Sequence, residues 1–132
     1  MRAAIIGAGS LGTIIGALMT QGGRQVDLID ANAAHVQAMN RAGARIIGEM
    51  DLLVPVRALT PDEMVGRYDL VFLLNKQTAN DAVLTRLLPF LNDDSIVCTL
   101  QNGIPEPRVA SYVAAQRTIG GAVGFGASWC GP

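Results

Sequence analysis

The feature that most constrains this fold stands at the amino end, where a short apolar run breaks into three closely spaced glycines. Residues 3–6 read AAII, and Gly7, Gly9 and Gly12 follow them in G-x-G-x-x-G spacing. In a strand–loop–helix unit the first glycine permits the sharp bend, the second lets a ligand approach the backbone, and the third lets the helix pack on the strand. The spacing therefore predicts a loop whose amides, backed by the positive end of a helix dipole, bind a pyrophosphate.

The residues around the glycines strengthen this prediction, since glycine makes up 15 of the 132 residues and the motif alone is weak. Two alternatives are a signal peptide and a membrane helix that pairs through Gly12 and Gly16. Glycines and hydroxyl side chains interrupt the segment too often for the apolar length that either one needs. Apolar side chains instead recur at the spacing of a helix with one buried face: Leu11, Ile14, Ile15, Leu18 and Met19. The residues assigned to a bound cofactor are Gly7, Ala8, Gly9, Ser10, Leu11 and Gly12.

Composition and charge are those of an ordinary globular chain. With 132 residues, half of them apolar, the chain is expected to form one domain over residues 1–132, large enough to bury a core. Its 10 basic and 11 acidic side chains are interspersed, which disfavours nucleic acid and anionic membranes as partners. Cys98 falls in an apolar pattern and Cys130 near the end, so a reducing, cytoplasmic compartment is expected. No spacing of cysteine and histidine indicates a metal site.

Strand and helix patterns alternate along the rest of the chain. Extended runs are predicted at residues 3–6, 26–30, 44–48, 52–59, 70–74, 95–100 and 119–128. Helices are predicted over the apolar positions 11–19, at 32–42, at 83–91 with a disturbance at Pro89, at 105–115, and in a short capping-box turn at 60–63. This alternation predicts an α/β fold with a doubly wound, mostly parallel sheet of the Rossmann type and strand order 3-2-1-4-5-6.

Ligands of such sheets bind beyond the carboxyl ends of the strands, so polar residues that follow the apolar runs are candidates. Asp30 lies 18 residues after Gly12, where a carboxylate accepts hydrogen bonds from the adenosine ribose hydroxyls. It would repel a 2′-phosphate by about 4 kcal/mol per charge pair at an effective dielectric of about 20. NAD(H) is therefore favoured over NADP(H). A solvated strand end or a cap on the next helix is the alternative role of Asp30.

Three further polar residues follow predicted strands. Lys76 would emerge beside a phosphate, a ribose or an anionic substrate, unless it is a surface lysine. The amide of Asn75 suits a ribose or the nicotinamide carboxamide, but asparagine after a strand also forms turns. Asn102 and Gly103 lead into a predicted helix rather than a hairpin, which favours a role in orienting a carbonyl beside the nicotinamide over a simple turn. His35 falls in the polar part of the second predicted helix, so a surface role is expected for it.

These segments resemble the N-terminal domain of the ketopantoate reductase (2-dehydropantoate 2-reductase) family over essentially the whole chain. The resemblance rests on GAGSLG at 7–12, NKQTAND at 75–81, LQNGIPE at 100–106 and GGAVGFGA at 120–127. It implies that the glycine loop holds the cofactor pyrophosphate, that Lys76 lies beside the ribose and phosphates, and that Asn102 orients the nicotinamide or the keto-acid substrate. The implied reaction reduces a 2-keto acid or lactone to a 2-hydroxy product, in pantothenate biosynthesis for the namesake enzymes. Lys76 and Asn102 are then the candidate catalytic residues.

The chain departs from the family in two places. The family usually prefers NADPH and carries a basic residue near the end of the second strand, where this chain has Asp30. The family also has a helical C-terminal domain that supplies a general-acid lysine and a carboxylate, and nothing in this sequence follows Pro132. We therefore expect cofactor binding with little turnover and a partner in the missing domain, with a homo-oligomer left open. The alternatives are the nucleotide half of another two-domain dehydrogenase, acting on glycerol phosphate or an amino-acid derivative, and a non-catalytic NAD-binding module.

Overall fold

The computed structural model of the chain describes residues 2–46, 51–74, 80–99 and 118–120. In chain order the described elements are β1 (Arg2–Ile6), α1 (Ser10–Gln21), β2 (Gln25–Ile29), α2 (Ala33–Ala42), β3 (Ala44–Ile46), β4 (Leu52–Val54), β5 (Arg57–Leu59), β6 (Tyr68–Leu73), α3 (Asn80–Leu87), β7 (Leu91–Thr99) and β8 (Thr118–Gly120). Short 3-10 helices lie at Pro61–Glu63 and Leu88–Phe90. The helix predicted at 105–115 and the extended run predicted beyond Gly120 fall outside the described residues.

Six of the described strands form one sheet in the order β5-β2-β1-β6-β7-β8, and each neighbouring pair is parallel. Numbered along the chain without β3 and β4, this is the order 3-2-1-4-5-6, so the predicted fold class and strand order are confirmed. The order reverses at β1, whose last residue Ile6 pairs with Ile29 of β2 and with Leu73 of β6. The carboxyl ends of these three strands, at Ile6, Ile29 and Leu73, therefore meet at one edge of the sheet, which we call the rim.

The sheet is buried on both faces, which explains why its strands read as nearly continuous apolar runs. Along β1, Ala3 and Ile5 point to the face covered by α1 and α2, whereas Ala4 and Ile6 point to the face covered by α3. The first face also buries Val26, Leu28, Val36 and Met39, and the second also buries Ile29, Val71, Leu73, Leu84 and Leu87. Residues on alternate positions of one strand thus serve two separate cores.

Local signals account for several element boundaries. Asn32 caps α2 by accepting a hydrogen bond from an amide of the first turn, and Gly43 ends the helix with a φ of 83°, a conformation that favours glycine. Thr60 and Glu63 form the predicted capping box. Two hydrogen bonds from Thr60, the stronger from its amide and the weaker from its hydroxyl, lower the pKa of Glu63, because both stabilise the charged carboxylate. β7 begins at Leu91 rather than at residue 95.

One predicted run is wrong in extent. Residues 52–59 form two strands in different sheets, since β4 pairs antiparallel with β3 while β5 joins the edge of the main sheet beside β2. Pro55 lies between them and has no amide hydrogen to give to a ladder. The β3–β4 hairpin packs on α1, where Ala17 meets Ala44, Ile46 and Val54.

The exposed edge of β5 is closed by a side chain from α2. Asn40 donates its Nδ2 to the carbonyl oxygen of Ala58 at 2.8 Å and accepts the Ala58 amide at Oδ1, also at 2.8 Å. One carboxamide thus takes the place of a neighbouring strand at this residue. Such covering of an edge protects a sheet from pairing with another chain.

An ionic cluster around a buried carboxylate, which the sequence pattern did not predict, lies toward the amino ends of the strands and away from the rim. Asp27 of β2 is buried, and its Oδ2 accepts the Tyr68 hydroxyl at 2.6 Å and the Arg2 Nη2 at 3.0 Å. Its Oδ1 lies 3.2 Å from the Nε of Arg57. Burial and the Asp27 carboxylate raise the pKa of Tyr68. The cluster ties β1, β2, β5 and β6 together, because each strand contributes one member.

Candidate functional site

The glycine loop leaves the rim in a turn that only glycine accommodates well. Gly7 has a φ of 91°, in the left-handed region that other residues rarely adopt. The amides of Gly7 and Ala8 both donate to the carbonyl oxygen of Ile29, at 2.9 and 3.1 Å. The loop is thereby fastened to the end of β2, directly beside the point where the strand order reverses.

The second and third glycines of the motif have different surroundings. A Cβ atom built at Gly12 would lie 2.5 Å from the carbonyl oxygen of Gly7 and 3.1 Å from Cγ2 of Ile5, so this glycine is required by the packing of α1 on β1. A Cβ atom built at Gly9 meets nothing within 4 Å, and Gly9 is exposed. The loop therefore leaves open space in front of Gly9, into which a ligand can fit and a side chain would intrude.

The amino end of α1 lies next to this open space and has no acidic residue in its own first turn. Gly9 is the N-cap residue, and no side chain caps the helix. The first amides of any α-helix have no intrahelical acceptor and carry partial positive charge. The backbone of residues 10–12 can therefore receive an anionic group, which is the chemistry that a cofactor pyrophosphate requires.

The prediction that His35 lies on the surface is wrong. Its side chain is only 5% exposed, and its Nε2 lies 2.7 Å from the carbonyl oxygen of Ala8 in the glycine loop. Since a carbonyl oxygen only accepts, Nε2 carries the proton and donates it. The spacing of His35, Val36 and Met39 was the available signal, because positions i, i+1 and i+4 share one helix face and all three are buried.

Asp30 lies where the sequence predicted, one residue beyond the end of β2. Its amide donates to the carbonyl oxygen of Leu59 at 3.0 Å, and its Oδ1 accepts the Asn32 amide at 2.8 Å. The carboxylate therefore stabilises the turn into α2, while the N-cap of that helix is Asn32. Asp30 is half-buried beside the strand end that holds the glycine loop, so loop and carboxylate lie at the same rim.

The chain matches the family model described as ketopantoate reductase PanE/ApbA over residues 3–132. The chain belongs to the ketopantoate reductase family. Curated relatives agree: it is 36% identical over 107 residues to 2-dehydropantoate 2-reductase of Mesorhizobium japonicum, covering 80% of this chain and 32% of that protein. It is 34% identical over 130 residues to the same enzyme of Pyrococcus abyssi, covering 96% and 41%. The chain thus spans about a third to two fifths of the length of these relatives.

Solved structures of the ketopantoate reductase family and of a related dehydrogenase share the fold. The 2-dehydropantoate 2-reductase of Geobacter metallireducens superposes with a TM-score of 0.80 at 32% identity, over 91% of this chain and 40% of that chain. D-mandelate dehydrogenase, solved with NADH and anilino(oxo)acetate, superposes with a TM-score of 0.90 at 27% identity, over 100% of this chain and 43% of that chain.

Part of the candidate site of this family member falls outside the described residues. Asn75, Lys76 and Asn102 are among these residues, as is most of the GGAVGFGA segment. The strands that precede them are described: β6 is followed by Leu74, whose amide donates to the carbonyl oxygen of Ile6 at 2.8 Å, and β7 ends in parallel beside β6. The roles of Asn75, Lys76 and Asn102 therefore stay predictions.

Two absences apply to the described ranges alone. Within them, no three histidine, cysteine or acidic side chains are grouped so that they could hold a metal ion. In the same part of the chain, no helix has the length and apolar character needed to cross a membrane.

Proposed function

We propose that this chain is the nicotinamide-dinucleotide-binding part of an oxidoreductase that reduces a 2-keto acid or lactone by hydride transfer. The observation that carries the proposal is the rim itself: a strand–loop–helix turn with open space at Gly9 and uncapped helix amides behind it. Membership of the ketopantoate reductase family supplies the reaction class. The curated relatives are named 2-dehydropantoate 2-reductases, and we propose 2-dehydropantoate as the substrate of the complete enzyme.

The geometry of the loop supports the proposed cofactor contacts. The backbone amides of Ser10, Leu11 and Gly12 receive the pyrophosphate, where the helix dipole adds to their attraction. Gly7 and Ala8 hold the loop against β2 through the Ile29 carbonyl oxygen. The bound nicotinamide supplies the hydride, and this chain's own residues hold it in place.

We propose that Asp30 binds the adenosine ribose and makes NAD(H) the preferred cofactor. Another carboxylate is held on the β5 side, where Glu63 accepts a hydrogen bond at 2.8 Å from the amide of Thr60, the residue after β5. Asp30 and Thr60 are neighbours at the rim, since the Asp30 amide bonds to Leu59. A 2′-phosphate there would approach the negative charge of Asp30 in place of the basic residue that the resemblance to the family leads one to expect.

The remaining contacts come from segments that follow β6 and β7. We propose that Asn75 and Lys76 contact the cofactor ribose and phosphates, and that Asn102 orients the nicotinamide or the keto group of the substrate. A proton must also reach the product oxygen. We propose that the proton donor, and the residue that binds the substrate carboxylate, belong to the part of the family's length that this chain does not span. This chain would then bind cofactor with little turnover.

A second candidate is supported by one structural neighbour. D-mandelate dehydrogenase resembles this chain with a TM-score of 0.90 and was solved with NADH, in line with the preference proposed from Asp30. The complete enzyme would then be an NADH-dependent reductase of a 2-keto acid other than 2-dehydropantoate. Comparison of the two keto acids as substrates of the full-length gene product separates these candidates.

Calorimetric titration of the chain with NADH and NADPH tests the proposed cofactor site. Gly9→Leu should weaken NADH binding at least about a hundredfold, about 2.7 kcal/mol, because the side chain fills the open space, while circular dichroism stays unchanged. Gly22→Leu is the matched control, since it places the same side chain at the other end of α1, where a Cβ makes only ordinary contacts at 3.5 Å. Absence of binding by the unmodified chain would reject the proposal.

The cofactor preference has its own comparison. NADH should bind at least about tenfold more tightly than NADPH, because solvent and salt screen much of the repulsion between Asp30 and a 2′-phosphate. Asp30→Asn should narrow that ratio, while Asp51→Asn, at an exposed residue before β4, leaves it unchanged. Tighter binding of NADPH by the unmodified chain would reject the role given to Asp30 and leave the dinucleotide site standing.

A further inference from the structure

We propose that His35 and Thr13 are positioning residues that hold the peptide between Ala8 and Gly9 in the orientation required for diphosphate binding. This inference rests on the proposed function, because it concerns how the glycine loop is prepared for its ligand. It assigns a role to the buried histidine of α2, which lies outside the glycine motif.

Two side chains from different helices meet at one carbonyl oxygen. The Nε2 of His35, on α2, lies 2.7 Å from the oxygen of Ala8, and the Oγ1 of Thr13, on α1, donates to the same oxygen at 3.0 Å. The Ala8 amide is also bound, to Ile29 at 3.1 Å, and Ala8 is fully buried. Both polar groups of the residue in the middle of the loop are therefore fastened to the scaffold.

The orientation of this carbonyl determines the direction of the next amide. In a planar trans peptide the carbonyl and the amide hydrogen point in opposite directions. Because the Ala8 oxygen points inward to His35 and Thr13, the Gly9 amide hydrogen points outward, toward the open space in front of the loop. That is the direction from which a diphosphate oxygen would approach.

Glycine at position 9 makes such a restraint necessary. Without a Cβ, its φ is free to take values on both sides of zero, so the Ala8–Gly9 peptide plane can rotate at little steric cost. A rotated peptide plane would present the Ala8 carbonyl oxygen to the diphosphate. The partial negative charge of that oxygen would then face the anionic diphosphate. The two donors oppose this rotation, since it would leave a buried imidazole N–H and a hydroxyl without the acceptor they now share.

A merely structural role for His35 makes a different prediction. The His35 amide bonds to Asn32 at 3.2 Å, and the Asn32 amide bonds to Asp30, so general loosening of α2 would disturb the adenosine side of the site as much as the diphosphate side. If His35 acts through the Ala8 carbonyl, its loss should weaken only ligands that contain a diphosphate.

The test compares ADP-ribose with adenosine as ligands of His35→Phe, which keeps an aromatic ring and removes the donor. ADP-ribose should bind about tenfold more weakly, the value of one or two lost hydrogen bonds, while adenosine affinity, followed by saturation-transfer NMR, changes by less than about twofold. His35→Gln, whose Nε2 donor reaches a similar position, should recover most of the loss. Thr13→Val removes the second donor and Thr13→Ser keeps it, so these two variants form a matched pair.

The ligand-free protein provides an independent readout. The Gly9 amide should give one sharp resonance in the unmodified chain and an exchange-broadened one in His35→Phe, with recovery in His35→Gln. Equal losses for ADP-ribose and adenosine, or an unchanged Gly9 resonance, would overturn the inference. If the unmodified chain binds no dinucleotide, the proposed function fails, whereas the Gly9 resonance still decides whether His35 holds the peptide.

Discussion

Three glycines on or beside α1 differ so clearly in their surroundings that alanine substitutions should have graded effects on stability. At Gly12 the new Cβ would lie 2.5 Å from the Gly7 carbonyl oxygen, where ordinary contact begins at 3.4 Å, a shortfall of about 0.9 Å. Both obstructing groups, the Gly7 backbone and the Ile5 side chain, are fixed in the sheet and loop. Relief therefore requires α1 to move away from β1.

The magnitudes follow from general values for overpacking and helix propensity. Gly12→Ala should cost about 3 kcal/mol for overpacking, offset by about 1 kcal/mol from the better helix propensity of alanine, which leaves a net loss of about 2 kcal/mol. At Gly16 the obstructing atoms are three side-chain carbons of Leu28 at 2.7 to 2.9 Å, which can shift, so we expect about 1 kcal/mol. Gly9→Ala meets no atom and should cost less than about 1 kcal/mol, as a poorer N-cap.

Urea denaturation followed by circular dichroism measures these differences. The urea midpoint should be highest for Gly9→Ala, lower for Gly16→Ala and lowest for Gly12→Ala. The denaturant slopes should be equal if the unfolded states are alike. Ligand affinity should instead be reduced most in Gly9→Ala, because the open space at Gly9 is where a ligand fits. A Gly12→Ala variant as stable as the unmodified chain would refute the packing role of Gly12, and with it the close approach of α1 to β1.

Two further predictions concern parts of the fold away from the rim. Because the pKa of Tyr68 is raised, the native state keeps a proton that the unfolded chain releases above about pH 10, so stability should be lost as pH rises from there by about 1.4 kcal/mol per unit. Urea denaturation at pH 9, 10 and 11 should show a smaller fall in unfolding free energy for Tyr68→Phe than for the unmodified chain. The same dependence of unfolding free energy on pH in both proteins would contradict the raised pKa. Asn40→Ala should cost about 1 to 2 kcal/mol, because the amide and carbonyl of Ala58 lose their partner. Asn40→Asp keeps the acceptor but sets a carboxylate oxygen against the carbonyl oxygen of Ala58, so it should also unfold at a lower temperature than the unmodified chain. An unchanged Asn40→Ala midpoint would show that the edge needs no covering.

The sheet, its strand order and the bounds of α2 were predictable because they rest on local rules, whereas α3 runs over Asn80–Leu87 rather than the predicted 83–91. A glycine spacing, an apolar run, the Asn32 cap and the Gly43 stop each act through neighbouring residues or a fixed periodicity. The right-handed crossover rule then reduces the possible arrangements of such strands to a few. The position of Asp30 at the rim followed from the same reasoning, since it needed only the end of one strand.

What sequence reasoning missed depends on residues distant in the chain. Asp27 sits in an apolar run and looks out of place until Arg2, Arg57 and Tyr68, from three other strands, are brought around it. Residues 52–59 read as one extended run because nothing local reveals which partner each half will find. Both outcomes are decided by strand pairing, which the local pattern does not encode.

The amino-acid sequence by itself therefore determined the class of fold, the family and the loop at which we propose a dinucleotide binds, because turn chemistry and periodicity are properties of adjacent residues. Only the tertiary structure decided what surrounds that loop. His35 is polar and was expected on the surface, yet the position of α2 beside α1 on one face of the sheet brings its Nε2 to 2.7 Å from the carbonyl oxygen of Ala8. A contact between residues far apart in sequence depends on how two helices lie on one sheet, and that arrangement exists only once the whole sheet has formed.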